Sequence, residues 1–95
     1  MSAAPNVTNN AAAGRFEANT EWGMALLKYV RRGDALDLVH TEVPQPAEGK
    51  GIGAALARAA LEHARREGLK VIPSCPFVLG YLKKHQEFAD LVATG

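Results

Sequence analysis

The feature that most constrains the fold is a glycine-rich turn that leads directly into an amphipathic helix. The stretch EGKGIGAAL places Gly49, Gly51 and Gly53 where a proline-marked loop ends. From about Lys50 to Glu67, apolar residues share one broad arc and arginines lie opposite, which predicts an α-helix. Gly68 follows it, as is typical of the residue just past a helix C-terminus.

Three segments before this turn predict antiparallel strands. They are GRFEA, GMALLKYVRR and ALDLVHTEV, and the turns NTEWG and RRGD join them. Such short connections favour a meander. In the third segment, regular alternation places Leu36, Leu38, His40 and Glu42 on one face, while the other face takes the odd-numbered residues from 35 to 43. Prolines 44 and 46 end this strand because neither can donate a ladder hydrogen bond.

The chain after the helix predicts one more strand and one more helix. LKVIP is a short strand that follows a helix and should pair parallel to the sheet. SCPFVLGYLKKH predicts a second helix with Pro76 in its first position, and EFADLV closes the chain as a last turn or short strand. The order β-β-β-α-β-α indicates one α/β domain over residues 14–95, with helices packed on a mixed sheet. Residues 1–13 show no periodicity and are expected to be disordered.

Composition excludes several classes of function. The net charge of the 95 residues is +1, which gives no electrostatic basis for binding nucleic acid or a membrane surface. The single cysteine, Cys75, cannot form an internal disulfide, and no apolar run approaches the roughly 20 residues of a membrane helix. Together with an N-terminus that lacks the pattern of a secretory signal, these features predict a cytoplasmic domain. The three histidines lack metal-ligand spacing, so no metal site is predicted.

The glycine turn itself predicts an anion site. The first N–H groups of a helix have no partner within it, and together with the helix dipole they favour a phosphate there. A P-loop would need Ser or Thr after the lysine, but Gly51 follows Lys50. A dinucleotide fingerprint would need a different glycine spacing and a parallel strand before it. The third pattern is the coenzyme A loop of acetyltransferases.

The segments HTEVP, EGKGIGAAL and ARREGLKVIPSCPFVLGYLKKHQEFADLV together resemble the small single-domain members of the GCN5-related N-acetyltransferase superfamily. The resemblance covers roughly residues 16 to 92. It implies a domain that binds acetyl-CoA, with the backbone amides of the loop on the pyrophosphate and the strand from His40 to Val43 along the pantetheine arm. The cofactor-binding residues implied in this way are Thr41, Val43, Gly49, Lys50, Gly51, Ile52, Gly53 and Ala54.

The chain departs from this superfamily in two ways. Glu48 stands where the superfamily pattern has Gln or Arg, and a carboxylate there opposes a pyrophosphate unless it turns away or Lys50 offsets it. The chain is also shorter than a typical member, which predicts an open acceptor side.

Four residues are candidates for chemistry. Cys75 is expected at the N-cap of the second helix, where a thiol pKa is lowered, and the resemblance implies a catalytic cysteine at this place; the alternative is a buried structural cysteine. His40 and Glu42 could each act as a base, or be a hydrogen-bonded core histidine and a solvated charge. The resemblance implies that Tyr81 could protonate the leaving thiolate; the alternative is core packing against Phe77.

The predicted function is therefore an N-acetyltransferase that uses acetyl-CoA and an amine acceptor, either a small molecule or a protein lysine or N-terminus. The alternative is a non-catalytic module that binds acyl-CoA or another protein. His85 is expected to contact the cofactor or to cap the second helix.

Overall fold

The computed structural model describes residues 6–93. Its strands are β1 (Val7–Asn10), β2 (Arg15–Thr20), β3 (Gly23–Arg32), β4 (Ala35–Glu42) and β5 (Lys70–Ile72). Its α-helices are α1 (Ile52–Glu67) and α2 (Pro76–Lys84), and short 3₁₀ helices cover Gln45–Ala47 and Gln86–Leu91. The strands lie in the order β1-β2-β3-β4-β5, antiparallel up to β4 and parallel between β4 and β5. The predicted α/β class, with a meander followed by a parallel strand, is confirmed.

One strand more than predicted stands at the edge of the sheet. Residues 1–13 were expected to lack structure, but β1 pairs with β2 from Val7 opposite Ala18 to Asn10 opposite Arg15. The prediction is wrong for this segment because the pairing depends on backbone groups that a polar sequence such as VTNN also has. The Tyr29 hydroxyl adds a 2.6 Å hydrogen bond to the Asn9 side chain. Residues 1–5, which belong to the same prediction, lie outside the described residues.

A β-bulge in β4 corrects the predicted faces of that strand. Tyr29 lies opposite Leu38 but Lys28 lies opposite His40, so Val39 is the extra residue of β4. An extra residue reverses the alternation that follows it. Thr41, which lies opposite the buried Leu27, therefore continues the core face. His40 and Glu42 turn to the other face, contrary to the regular alternation that grouped them with Leu36 and Leu38.

The core lies between one face of the sheet and α1. The apolar arc of α1 is buried as predicted, with Leu56 and Leu61 fully enclosed, and burying each such side chain contributes about 2 kcal/mol. The helix begins two residues later than expected, at Ile52, and Gly68 ends it in the left-handed conformation, where its N–H reaches the carbonyl oxygens of Ala64 and Arg65. Among residues 6–93, neither helix is long and apolar enough to cross a membrane.

The parallel strands β4 and β5 pair over only three residues, from Ala35 opposite Lys70 to Asp37 opposite Ile72. Beyond them the chain turns into α2, and the N–H of Cys75 donates to the carbonyl oxygen of Leu38 at 2.8 Å. The start of α2 is thus fixed beside the bulged end of β4. The last segment forms a 3₁₀ helix followed by a single bridge from Val92 to Val71.

Candidate functional site

A groove of about 430 Å³ lies where β4 ends and α1 begins. We call it the loop groove. Thr41 in β4, Val43 just after β4 and Phe77 in α2 line this groove. The glycine-rich loop and the first turn of α1 complete it with Glu48, Gly49, Gly51, Ile52, Gly53 and Ala54, above the buried Ala47. Seven of the eight residues predicted to bind the cofactor therefore line one groove.

The loop presents backbone donors without side chains in front of them. Gly49 and Gly51 have φ values of +82° and +83°, a conformation that favours glycine. Gly51 is the N-cap of α1 and supplies no side-chain hydrogen bond, and the first helical bond runs from the N–H of Ala55 to the carbonyl of Gly51. The N–H groups of residues 52–54 consequently lack intrahelical acceptors, and the positive end of the helix dipole adds to them. This is a site suited to an anion.

Lys50 is the one predicted cofactor residue that does not line the loop groove. Its ammonium group lies 5.4 Å from the centre of the Trp22 ring, at the turn between β2 and β3. Glu48, by contrast, does line the groove and is exposed. The side-chain charges therefore favour an anion less than the backbone does, since the Glu48 carboxylate belongs to the lining and the Lys50 ammonium group does not.

Cys75 is buried beside Thr41 and does not itself line the loop groove. Its side chain is buried, with a relative exposure of 4%, and its sulfur is 3.3 Å from the Thr41 hydroxyl. Burial raises the pKa of the Cys75 thiol, but the Thr41 hydroxyl and the N–H groups of Val78 and Phe77 at the start of α2 outweigh it, so that the pKa lies below its ordinary value. The predicted N-cap position is confirmed.

A buried carboxylate holds the residue before Cys75. Ser74 donates a 2.6 Å hydrogen bond to Asp37, which also accepts one of 2.9 Å from Arg32. The bond from Ser74 is the main cause of the lowered pKa of Asp37, and Arg32 lowers that pKa further against the effect of burial. These contacts tie the segment between β5 and α2 to the centre of β4, and so restrict where Cys75 can move.

His40 and Glu42 form a pair on the opposite face of the sheet from the loop groove. The Nε2 atom of His40 is 3.0 Å from Glu42 Oε2, and both side chains are more than half exposed. Met24 and Val30 share this face and are exposed as well. A hydrogen bond from Nε2–H to the carboxylate leaves Nδ1 as the proton acceptor of a neutral ring. The pair can act as a base only for a group that approaches from this open face.

Tyr81 lies in a second groove, of about 440 Å³, between the first turn of α1 and the exposed side of α2. We call it the helix groove. The tyrosine ring is buried and stacks on His85, with 3.9 Å between the ring centres. Tyr81 is absent from the lining of the loop groove, so the structure does not bring it together with Thr41 and Cys75 there. The stack with His85 is one contact that holds the ring in this place.

Phe77 is the residue of the site that sequence reasoning missed. It lines both grooves and its ring lies against Gly53, where an added Cβ would be 2.8 Å from the Cζ atom. The available signal was its position two residues after Cys75, but the i, i+4 spacing with Tyr81 pointed to the core. Within residues 6–93, no group of three acidic, histidine or cysteine side chains could hold a metal ion.

Comparison with known proteins gives the family. The family model for GCN5-related N-acetyl-transferase matches residues 15–91, so this chain belongs to the GCN5-related N-acetyltransferase family. The fold is similar to the NMR structure of a GCN5-like N-acetyltransferase candidate from Staphylococcus aureus, with a TM-score of 0.74 and 25% identity over 99% of this chain and 93% of that one.

Vertebrate proteins called NATD1 are similar in sequence. The protein from Homo sapiens is 40% identical over 62 residues, which are 64% of this chain and 55% of the relative. The protein from Danio rerio is 31% identical over 80 residues, or 82% of this chain and 72% of the relative. The part of this chain that matches the human protein thus spans about half of that protein's length.

Proposed function

We propose that this protein is an N-acetyltransferase that uses acetyl-CoA, and that the GKGIG loop holds the pyrophosphate. One observation carries the proposal: the loop groove joins a row of helix N–H groups without intrahelical acceptors to Thr41 at the end of β4, whose hydroxyl contacts the buried thiol of Cys75. Family membership supports the reaction class, an acetyl group transferred to an amine.

The residues present fit the ligand. At Gly49 and Gly51 an added Cβ would meet no atom within 4 Å, so the space in front of the loop is open to a phosphate. Backbone donors bind such an anion at a helix N-terminus without a lysine. The apolar side chains of Val43 and Ile52 suit the aliphatic part of a pantetheine arm along β4.

The chain's own residues then have defined roles. When bound, acetyl-CoA supplies an acetyl group activated as a thioester. Backbone groups at the end of β4 orient that arm, and the Thr41 hydroxyl, in contact with the Cys75 thiol, can supply or hold a proton in the groove. The His40–Glu42 pair lies on the opposite face of the sheet, so Nδ1 of His40 can accept the proton of the amine only if the acceptor reaches the thioester around the end of β4. The open face on which this pair lies leaves room for an acceptor as large as a protein side chain.

Burial of Cys75 favours direct transfer to the amine over a covalent route through this thiol. With 4% exposure, the sulfur would have to become accessible before it could attack a thioester. The lowered pKa of Cys75 still makes the covalent route the natural competitor.

The test is to incubate the protein with acetyl-CoA carrying a labelled acetyl group and a panel of amines that includes lysine peptides and peptide N-termini. We expect label on an amine, reduced at least tenfold in His40→Gln, with Cys75→Ala retaining part of the activity. Label that stays on Cys75 and is lost in Cys75→Ala would instead establish the covalent route.

Two other outcomes would overturn the proposal. Binding of acetyl-CoA without acetylation of any amine would make the protein a non-catalytic acyl-CoA-binding module. Absence of any chemical-shift change at the amides of residues 49–54 on adding acetyl-CoA would remove the ligand from the loop groove altogether.

A further inference from the structure

The face of the sheet that points away from α1 is exposed to solvent, and we call it the open sheet face. Met24, Lys28 and Val30 of β3 are exposed on it, and so are His40 and Glu42 of β4. Met24 and Val30 are 41% and 43% exposed although they belong to the central strand of the sheet. Large apolar side chains at such positions are typical of a surface that another molecule covers.

The charges of the open sheet face form two adjacent rows that run across β2, β3 and β4. The acidic row has a carboxylate on either side of an apolar residue, and the basic row has a guanidinium, an ammonium and an imidazole group. The acidic row is Glu17, Leu26 and Glu42, and the basic row is Arg15, Lys28 and His40. Along β3, Met24 lies one row beyond the acidic row and Val30 one row beyond the basic row.

This pattern is complementary to itself under a two-fold rotation. The axis lies in the face, runs across the strands and passes between the two rows, so that the acidic row of one copy meets the basic row of the other. Along β2, Glu17 then faces Arg15 of the second copy, and along β4, Glu42 faces its His40. Within one copy Glu17 already pairs with Arg15, and Glu42 lies 3.0 Å from His40, so each pair becomes a square of alternating groups.

Lys28 occupies the centre of this arrangement. It faces Leu26 of the second copy, and the Glu17 and Glu42 carboxylates of that copy lie one strand to either side, about 4.8 Å away across the sheet. The aliphatic stem of the lysine can cover the leucine while its ammonium group reaches a carboxylate.

The same rotation brings apolar side chains together at both ends. Met24 faces Val30 of the second copy, and Val30 faces its Met24. Packed sheets keep their strands within about 30° of each other, and this twist shifts the end contacts more than the rows beside the axis. The charged rows therefore define the geometry, and the apolar ends add buried area.

The size of the face sets the strength of the contact. The antiparallel strands have 4, 6, 10 and 8 residues. At about 3.4 Å by 4.8 Å for each residue, they span roughly 450 Å². Two such faces cover about 900 Å², less than the roughly 1,200 Å² at which stable complexes begin, so the contact is expected to be weak and reversible.

From this self-complementarity we infer that the protein forms a reversible homodimer through the open sheet face, with the acidic row of each copy on the basic row of the other. The dimer encloses His40 and Glu42. It therefore competes with an amine acceptor on this face and makes the monomer the active form. This consequence, unlike the dimer itself, rests on the proposed function.

The experiment is sedimentation velocity of the free protein from about 10 μM to 1 mM at low ionic strength. We expect the average mass to rise from that of one chain toward that of two, and to rise less at about 0.5 M salt because the paired charges are screened. A single chain at every concentration would overturn the inference.

Lys28→Glu tests the geometry. It should weaken association at least about tenfold, because it adds a carboxylate between two carboxylates of the second copy. Arg31→Glu is the matched control: it reverses a charge on the same strand, but Arg31 pairs with the buried Leu36 and lies on the α1 side of the sheet. Its association constant should stay within about twofold of that of the unmodified protein. Equal effects of the two variants would overturn the inference.

Mixing two variants excludes misfolding as the cause of a lost dimer. Glu42→Lys alone should also weaken association, since it places an ammonium group beside Lys28 and His40 of the second copy. In an equimolar mixture of Lys28→Glu and Glu42→Lys the two introduced charges face each other, so dimers should return. A mixture that stays as monomeric as its components would overturn the two-fold arrangement.

The consequence for activity is measured with the labelled-acetyl assay. Activity per chain should fall as the concentration passes through the dimer transition, and should stay constant in Lys28→Glu. Constant activity of the unmodified protein through the transition would overturn the competition. Absence of acetylation at every concentration would overturn the proposed function alone, because sedimentation detects the dimer without any ligand.

Discussion

The two helices begin side by side but are built in opposite ways. The start of α1 consists of glycines, has no side-chain cap and lies at an open groove. At the start of α2 the N-cap is Cys75, whose sulfur is buried and contacts Thr41. Both helix N-termini are electropositive, but only that of α1 offers its donors to a ligand, whereas at α2 the Phe77 and Val78 N–H groups already stabilise the protein's own thiol.

This difference shows how one fold uses the start of one helix for ligand binding and the start of the other to change the chemistry of a thiol. Glycine at the start of α1 contributes no contact of its own and costs helix stability, which is reasonable where a ligand supplies the missing partners. Cysteine at the start of α2 uses the same electrostatic effect to change the proton affinity of one atom. Phe77 connects the two starts, since its ring lies on Gly53 while its own N–H faces Cys75.

The largest expected effect comes from placing a charge at the start of α1. Gly51→Asp should weaken acetyl-CoA binding at least tenfold relative to Gly51→Asn, because a carboxylate would repel the pyrophosphate where an amide of the same shape would not; a tenfold change is about 1.4 kcal/mol. Both residues tolerate the left-handed backbone at φ +83° better than other side chains do. Calorimetry of both variants measures the difference.

Gly68 provides the control at the other end of α1. It has φ +69° and, like Gly51, no atom within 4 Å of an added Cβ, so Gly68→Asp and Gly68→Asn carry similar backbone strain far from the groove. Their affinities for acetyl-CoA should agree within about twofold. If Gly51→Asp and Gly51→Asn also agreed, the loop would not be the phosphate site.

Much of the start of α1 could be predicted from the sequence, because glycines and an apolar period of 3.6 are local signals. The segment LKVIPSCP likewise predicted the parallel strand and the cysteine at the N-cap of α2. The face of β4 on which His40 and Glu42 lie could not be predicted, because Val39 is apolar and fits an unbroken alternation. The bulge depends on the pairing of β4 with β3, which a single strand's sequence does not specify.

The next comparison concerns the thiol at the start of α2. Thr41→Val removes the hydroxyl that does most to lower the pKa of Cys75, so that burial is opposed only by backbone groups and the pKa rises. A lower pKa in the unmodified protein means that the thiol ionises at lower pH. The variant should therefore hold less thiolate at neutral pH. Thiolate absorbance near 240 nm, followed against pH, measures the shift in the free protein.

Thr41→Ser is the matched control because it keeps the hydroxyl while losing a methyl group. Its titration should remain close to that of the unmodified protein. A titration of Thr41→Val at unchanged pH would mean that the contact of 3.3 Å between the hydroxyl and the sulfur does not stabilise the thiolate.

The sequence also left the placement of Lys50 and Tyr81 open, for a reason common to long side chains. Their backbone positions follow from the loop and from α2, but the direction of each side chain depends on the aromatic ring that it meets. Trp22 attracts the ammonium group of Lys50. His85 stacks on Tyr81 in the helix groove. Trp22 is far in sequence from the glycine loop, so the loop motif could not place Lys50, whereas His85 is only four residues from Tyr81 and its spacing was a local signal for the stack.

The smallest expected effect concerns Glu48, whose carboxylate opposes an anion at the start of α1. Glu48→Gln should tighten acetyl-CoA binding about threefold at low ionic strength, since an exposed charge near a phosphate contributes less than about 1 kcal/mol. Glu67→Gln, at the opposite end of the 16-residue helix, removes the same charge far from the loop groove and should change affinity little. Weaker binding by Glu48→Gln would show that this carboxylate accepts a hydrogen bond from the ligand, which would assign the loop groove to a group with a donor rather than to a pyrophosphate alone.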